Sequence, residues 1–181
     1  MINSRSIPRI LTAAIVAQLL TMGATAQETE APIMPTTLSE TYDTWTVQCG
    51  NTGTGDQTKR QCQMSQELLQ QDSRQRMLLF AVTEGEGNAK ATLILPFGLL
   101  LSPGVHIEIA EKELASGGFQ TCLPQGCLVE IELSSMALDQ LQTGEKLSVL
   151  MTVQNGQPMK TDVSLKGFGA AYRRLLALAA G

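Results

Sequence analysis

Four cysteines, spaced as two local pairs, constrain this chain more than any other feature. Cys49 and Cys62 flank the polar, glycine-containing stretch NTGTGDQTKR, and Cys122 and Cys127 flank a Pro-Gln-Gly turn within FQTCLPQGCLVEIEL. A structural zinc site wants four Cys or His ligands in converging pairs. Here the spacings are C-x12-C and C-x4-C, and the sole histidine, His106, lies in a different segment. A thioredoxin-like centre wants C-x-x-C at a helix N-terminus, where the dipole lowers the thiol pKa. Cys122 and Cys127 are spaced too widely for that and lead into an alternating apolar run. Disulfide staples fit better. Four cysteines allow three connectivities, and we expect the local one, Cys49 with Cys62 and Cys122 with Cys127, because each pair flanks its own turn. By the loop-closure argument the longer loop contributes about 3 kcal/mol and the tight one about 2 kcal/mol.

The N-terminus agrees with an oxidising destination. Arg5 and Arg9 precede the short apolar run ILTAAIVAQLL, and ATA at 24–26 supplies small residues for a signal peptidase. We therefore expect residues 1–26 to be a signal peptide. The apolar run is about half of the roughly 20 residues needed to span a bilayer. Residues 1–26 hold two of the 13 basic residues and none of the 17 acidic ones, so the mature chain carries a net charge of −6. That balance offers no electrostatic footprint for nucleic acid. No later stretch approaches membrane-spanning length, so no transmembrane segment is expected after cleavage.

Residues 27–41 are polar, broken by prolines and without period, and are expected to be a flexible leader. Residues 42–181 then form a single domain. TWTVQC places Trp45, Val47 and Cys49 on one face, and QCQMSQ returns with Cys62 and Met64 together. RMLLFAVTE (76–84) and KATLIL (90–95) make a second strand pair, and GVHIEIA and CLVEIELS alternate cleanly. Asn155-Gly156 predicts a two-residue type I′ hairpin turn, with both residues at positive φ. SSMALDQLQTG (134–144) reads as a short helix capped by Ser134 or Ser135. FGAAYRRLLALAA (168–180) is a terminal helix with Phe168, Tyr172 and Leu175 on one stripe. Eight or nine short strands separated by frequent turns predict an all-β, immunoglobulin-like β-sandwich with one short inserted helix and a C-terminal helix.

No catalytic constellation is visible. His106 would need an oriented carboxylate, for which Glu108 on the same strand face is the candidate, and a nucleophile. We read His106 as a surface histidine, and Glu130 with Glu132 as a solvated face. The chain has no nucleophile elbow, phosphate loop or H-E-x-x-H, so no catalytic residue, cofactor or metal is expected. LILPFGLLLSPG (93–104) is read as a buried strand bent at Pro96 and Gly98; the competing reading is a partner-binding or membrane-contacting patch. The Phe168, Tyr172, Leu175 stripe is expected to dock on the chain's own sheet, with partner binding as its alternative.

Taken in order, WTVQC at 45–49, Cys62, LPFGLLLSPGV at 95–105, FQTCLPQGC at 119–127 and VSLKGFGAAYRRL at 163–175 resemble the invasion-associated locus B family of exported bacterial proteins. The resemblance implies an immunoglobulin-like sandwich with disulfides, in the periplasm or associated with the outer membrane. The family is named for a role in host-cell invasion, and it carries no catalytic residues onto positions of this chain. The function expected is that of a non-enzymatic, periplasmic binding or structural protein of the cell envelope; the alternative is a surface-associated adhesion or invasion factor. Its partner is then an envelope protein or a host surface component. Free-thiol titration of the exported, denatured protein should find no reactive cysteine, and peptide mapping should link 49 to 62 and 122 to 127. Peptides joining the two pairs would refute the local connectivity.

Overall fold

The computed structural model describes residues 37–53, 58–85 and 88–179. The expected signal at 1–26, and the expected leader up to residue 36, lie outside the described residues. The described residues form eleven strands and two helices. The strands are β1 (Thr37–Tyr42), β2 (Trp45–Thr52), β3 (Lys59–Leu69), β4 (Arg76–Glu84), β5 (Ala89–Leu95), β6 (Val105–Ile109), β7 (Lys112–Gly117), β8 (Phe119–Leu123), β9 (Gly126–Leu133), β10 (Lys146–Thr152) and β11 (Pro158–Ser164). The helices are α1 (Ser135–Thr143), inserted before β10, and the terminal α2 (Phe168–Ala179).

Two antiparallel sheets result, a seven-stranded one ordered β1-β2-β3-β4-β5-β9-β8 and a four-stranded one ordered β11-β10-β6-β7. Alternation sets their inner faces. Leu93 and Leu95 on β5, and Val129, Ile131 and Leu133 on β9, are buried, while Glu130 and Glu132 face water. From the smaller sheet Ile107, Val149 and Val163 complete the same core. Ser134 caps α1, its hydroxyl accepting the Ala137 N–H at 3.2 Å.

The helix α2 covers the part of the larger sheet formed by β1 to β4. Its twelve residues are marginal as an isolated helix, so it depends on the face it buries. Phe168, Ala171, Tyr172, Leu175 and Leu178 are all buried there. Full burial of a large apolar side chain is worth about 1.5–3 kcal/mol. The reversal into α2 needs glycine at 167, where φ is 87° and a Cβ would collide with the Tyr42 carbonyl.

Three expectations are corrected. Residues 37–41 are not leader but most of β1, paired in register with β2 from Thr37↔Gly50 to Tyr42↔Trp45. The strand was hidden because Glu40 occupies an inward-leaning position between Leu38 and Tyr42; its charge is met by Arg174 from α2, 134 residues away. The β10–β11 hairpin is not a type I′ turn. Only Gly156 has positive φ (81°), Gly156 N–H donates to the Val153 carbonyl (2.8 Å), and Val153 N–H donates to the Gln157 carbonyl (2.9 Å). This is the three-residue turn with glycine at the left-handed position. Finally, the buried strand in LILPFGLLLSPG stops at Leu95. Pro96 has no N–H for the ladder and Gly98 sits at φ 87°, so the following loop leaves Phe97, Leu100 and Leu101 exposed.

Because Phe168 is fully buried against Trp45, Phe168→Ala should lower the unfolding free energy by about 3–5 kcal/mol. Urea denaturation checks this. Deletion from Gly167 onward should also lower the melting temperature and expose dye-binding surface; an unchanged melt would show that α2 does not hold the fold.

Candidate functional site

Both staples form within hairpins. Cys49 lies opposite Cys62 in the β2–β3 ladder, with Cα atoms 4.1 Å apart, and Cys122 lies opposite Cys127 in β8–β9 at 3.9 Å. The inward alternation of β2 points Cys49 into the core alongside Trp45 and Val47. Cys122 is exposed on an edge strand. Among the described residues there is no free cysteine and no cluster of three His, Cys, Asp or Glu arranged to hold a metal.

The other sequence candidates do not come together. His106 does not pair with Glu108. Its Nδ1 lies 3.3 Å from Glu113 on the neighbouring β7, and Glu108 instead accepts from Lys160 at 2.7 Å. Glu130 and Glu132 share Lys90, at 3.4 and 3.6 Å, whose pKa is raised chiefly by its hydrogen bond to Glu130. Phe168, Tyr172 and Leu175, the alternative partner-binding stripe, are interior: Phe168 and Leu175 are fully buried and Tyr172 nearly so. In this fold they anchor the helix and offer no surface to a partner.

The arrangement that sequence reading missed is an open groove of about 1140 Å³ beside the first disulfide. Leu38 from β1, Cys49 and Cys62 from the stapled hairpin, Arg60, Glu84 and Ala179 from the last turn of α2 line it. Gln48, Gln61, Gln63 and Thr83 border it as well, but alternation turns their side chains to the opposite face of the sheet from Cys49 and Cys62. On the disulfide's own face the lining offers a guanidinium donor at Arg60 and a carboxylate acceptor at Glu84 beside a small apolar floor.

The wall of this groove is pinned by a charged triad. Arg174 clamps Glu40 through two hydrogen bonds, Nε to Oε2 at 2.7 Å and Nη2 to Oε1 at 2.8 Å, and the Tyr42 hydroxyl donates to Oε2 at 2.8 Å. The Arg174 and Tyr42 hydrogen bonds hold the Glu40 carboxyl down at about 2, against an ordinary 4.5. The same contact raises the Tyr42 hydroxyl, because ionising it would place a second anion beside Glu40.

The geometry defines a class: a disulfide-stapled, two-sheet β-sandwich with a docked C-terminal helix and an open groove at one end. Residues 45–176 match the family described as invasion associated locus B (IalB) protein. The chain belongs to that family. It is 35% identical over 144 residues to an invasion protein B homolog of Brucella abortus, covering 78% of this chain and 81% of that protein. It is 33% identical over 145 residues to invasion protein B of Bartonella bacilliformis, covering 78% of this chain and 76% of that protein. The crystal structure of invasion associated protein B from Bartonella henselae superposes with a TM-score of 0.70 at 30% identity, over 80% of this chain and 99% of that one.

Glu40 is ionised in the fold well below its ordinary range, so the clamp stabilises the protein above pH 4.5 and is lost as the pH falls toward 2. Glu40→Gln should therefore melt lower than the unsubstituted protein at neutral pH. The difference should shrink through that acid window and vanish near its lower limit. A constant difference across the window would show that the carboxylate charge contributes nothing.

Proposed function

We propose that this chain is a non-enzymatic protein of the cell envelope, exported to the periplasm, which binds a partner in the groove at the Cys49–Cys62 hairpin. The observation that carries the reading is the lining of that groove. On the inner face of the sheet, Arg60 and Glu84 supply one charge of each sign beside Leu38 and the disulfide. Donors and acceptors in that mixture suit a peptide segment, whose backbone presents both. The stapled hairpin and the Glu40–Arg174 clamp make the walls rigid, which lowers the ordering cost of binding.

Export is supported by two cross-strand disulfides and by the signal pattern of residues 1–26. Among the described residues no helix is long and apolar enough to cross a membrane. The absence of catalysis is supported by His106, the sole imidazole, which stands paired with Glu113 on an exposed strand face of the smaller sheet, away from the groove. A second reading, a surface-associated factor acting on host cells, draws on the names of the relatives, which are called invasion proteins.

Two measurements decide between these. Protease shaving of intact cells should release no peptide of this protein until the outer membrane is lysed; release from intact cells would favour the host-facing reading. In cross-linked envelope extract, Ala179→Arg should block the groove and lose a partner that the unsubstituted protein retains, with no change in melting temperature. Retention of every neighbour by that variant would sink the groove as the binding site.

A further inference from the structure

Neither the core nor the groove accounts for the loop from Pro96 to Gly104. Among the described residues, seven large hydrophobic side chains are exposed, and six of them, Leu69, Met77, Phe97, Leu100, Leu101 and Leu123, gather at one end of the sandwich. The strand registers place them there. Leu69 pairs with Arg76 at the β3–β4 corner, Leu79 lies opposite Ile94, and Leu95 lies opposite Cys127 beside the β8–β9 turn. Leu99 bridges to Val153 at the β10–β11 turn. Glu84, Thr52 and Arg60, which line the groove, occupy the other ends of the same strands.

We propose that this end of the sandwich is a lipid-docking surface that inserts Phe97, Leu100, Leu101 and Leu123 into the interface of an anionic phospholipid bilayer. Phe97, Leu100 and Leu101 project from the one loop at 96–104, and Leu123 from the end of β8 beside the turn at 124–125. Convex tips suit a fluid interface, into which apolar side chains sink by roughly 5–10 Å. Charge agrees: residues 96–104, 124–125 and 153–157 contain no charged residue. The fourth turn at this end, 70–75, holds Asp72 and Arg74, and Arg76 follows it. Arg74 is exposed beside the tips, and Arg76 reaches the Gln125 carbonyl at 3.5 Å while paired with Glu67. These arginines stand where headgroup phosphates would lie. A fifth turn, at Asp43, sits back on the α2 flank with its charge paired to Lys166 at 3.1 Å.

Part of the loop's backbone is paired within the protein. An apolar medium penalises unpaired N–H and C=O groups. Here Leu100 N–H donates to the Thr152 carbonyl and Gln154 N–H to the Gly98 carbonyl, both at 2.8 Å, and Gly104 N–H donates to the Leu101 carbonyl at 3.1 Å. The loop that exposes Phe97, at 63%, is thus tied to the β10–β11 hairpin through the Leu100 amide and the Gly98 carbonyl. The inference is independent of what the groove binds, since the two lie at opposite ends.

The test uses the disulfide-bonded protein recovered after export, floated with vesicles of phosphatidylcholine and phosphatidylglycerol in equal parts. The unsubstituted protein should float. Phe97→Ser with Leu101→Ser should weaken vesicle binding about tenfold or more while melting at the same temperature. Met136→Ser, which removes the exposed apolar side chain away from these tips, should bind as before. Phe97→Trp gives a direct readout: Trp45 is fully buried, so any blue shift of emission on adding vesicles reports the loop. Failure of the unsubstituted protein to float, equal flotation of the double variant, or an unmoved Phe97→Trp emission overturns the proposal. So does a double variant whose only deficit is loss of self-association or of a protein neighbour.

Discussion

The fold depends on where the Trp45 indole sits. It is fully buried, meets Phe80 edge-on at 5.9 Å and Phe168 edge-on at 4.9 Å, and donates its N–H to the Ser164 carbonyl at 3.0 Å. Those contacts join β2 to β4 within one sheet, to β11 of the other sheet, and to the first turn of α2. Edge-to-face pairs of this kind add roughly 0.5–1.5 kcal/mol each beyond the area they bury. The hydrogen bond satisfies a donor that would be costly to leave unpaired in the core. Smaller apolar residues could fill the volume but could not also tie three elements through a polar tip.

Around this anchor, polar groups that look unremarkable in sequence carry the long-range order. The Gln66 side chain, almost fully buried, behaves like a strand segment. Its amide donates to the Ser164 carbonyl at 3.0 Å and to Thr44 Oγ1 at 2.6 Å, and its carbonyl accepts the Ser164 N–H at 3.1 Å. The backbone of Ser164 is thereby satisfied across the gap between sheets. Glu40 and Arg174 do the same for β1 and α2, converting an inward-leaning carboxylate into a clamp. Both ties, the buried Gln66 and the half-buried Glu40–Arg174 pair, reward one arrangement of distant segments.

The sandwich that emerges is polarised along its strands. One end holds the disulfide-walled groove with its mixed hydrogen-bonding lining; the other presents apolar turn tips nearly free of charge. The two ends present different chemistries because each is set by strand termini that the sheet holds apart. Membership of the IalB family fits an exported, disulfide-bonded sandwich, and the polarity is a property of this chain's own residues.

The sequence by itself determined whatever rests on local patterning. Period-two alternation located β2, β3, β6 and β9, two apolar runs about a turn located β4 and β5, a serine cap at 134 or 135 and helical stripes located α1 and α2, and two turn-flanking cysteine pairs pointed to the local staples, because hairpin partners are neighbours in sequence. Only the tertiary structure decided β1, β7 and β8. Glu40 breaks the pattern of β1 until Arg174 neutralises it, and β7 and β8 are edge strands, largely exposed, so nothing forces their residues to alternate. It also decided the turn at Gly156, where the loop is tied to Gly98, and the fate of LILPFGLLLSPG. Apolar composition alone does not distinguish a buried strand from an exposed tip. The difference lies in Pro96 and Gly98 releasing the chain from the ladder, and in which surface the four turns come to share. The groove was illegible for the same reason: its residues come from separate strands and a helix terminus, and no local period records which elements meet.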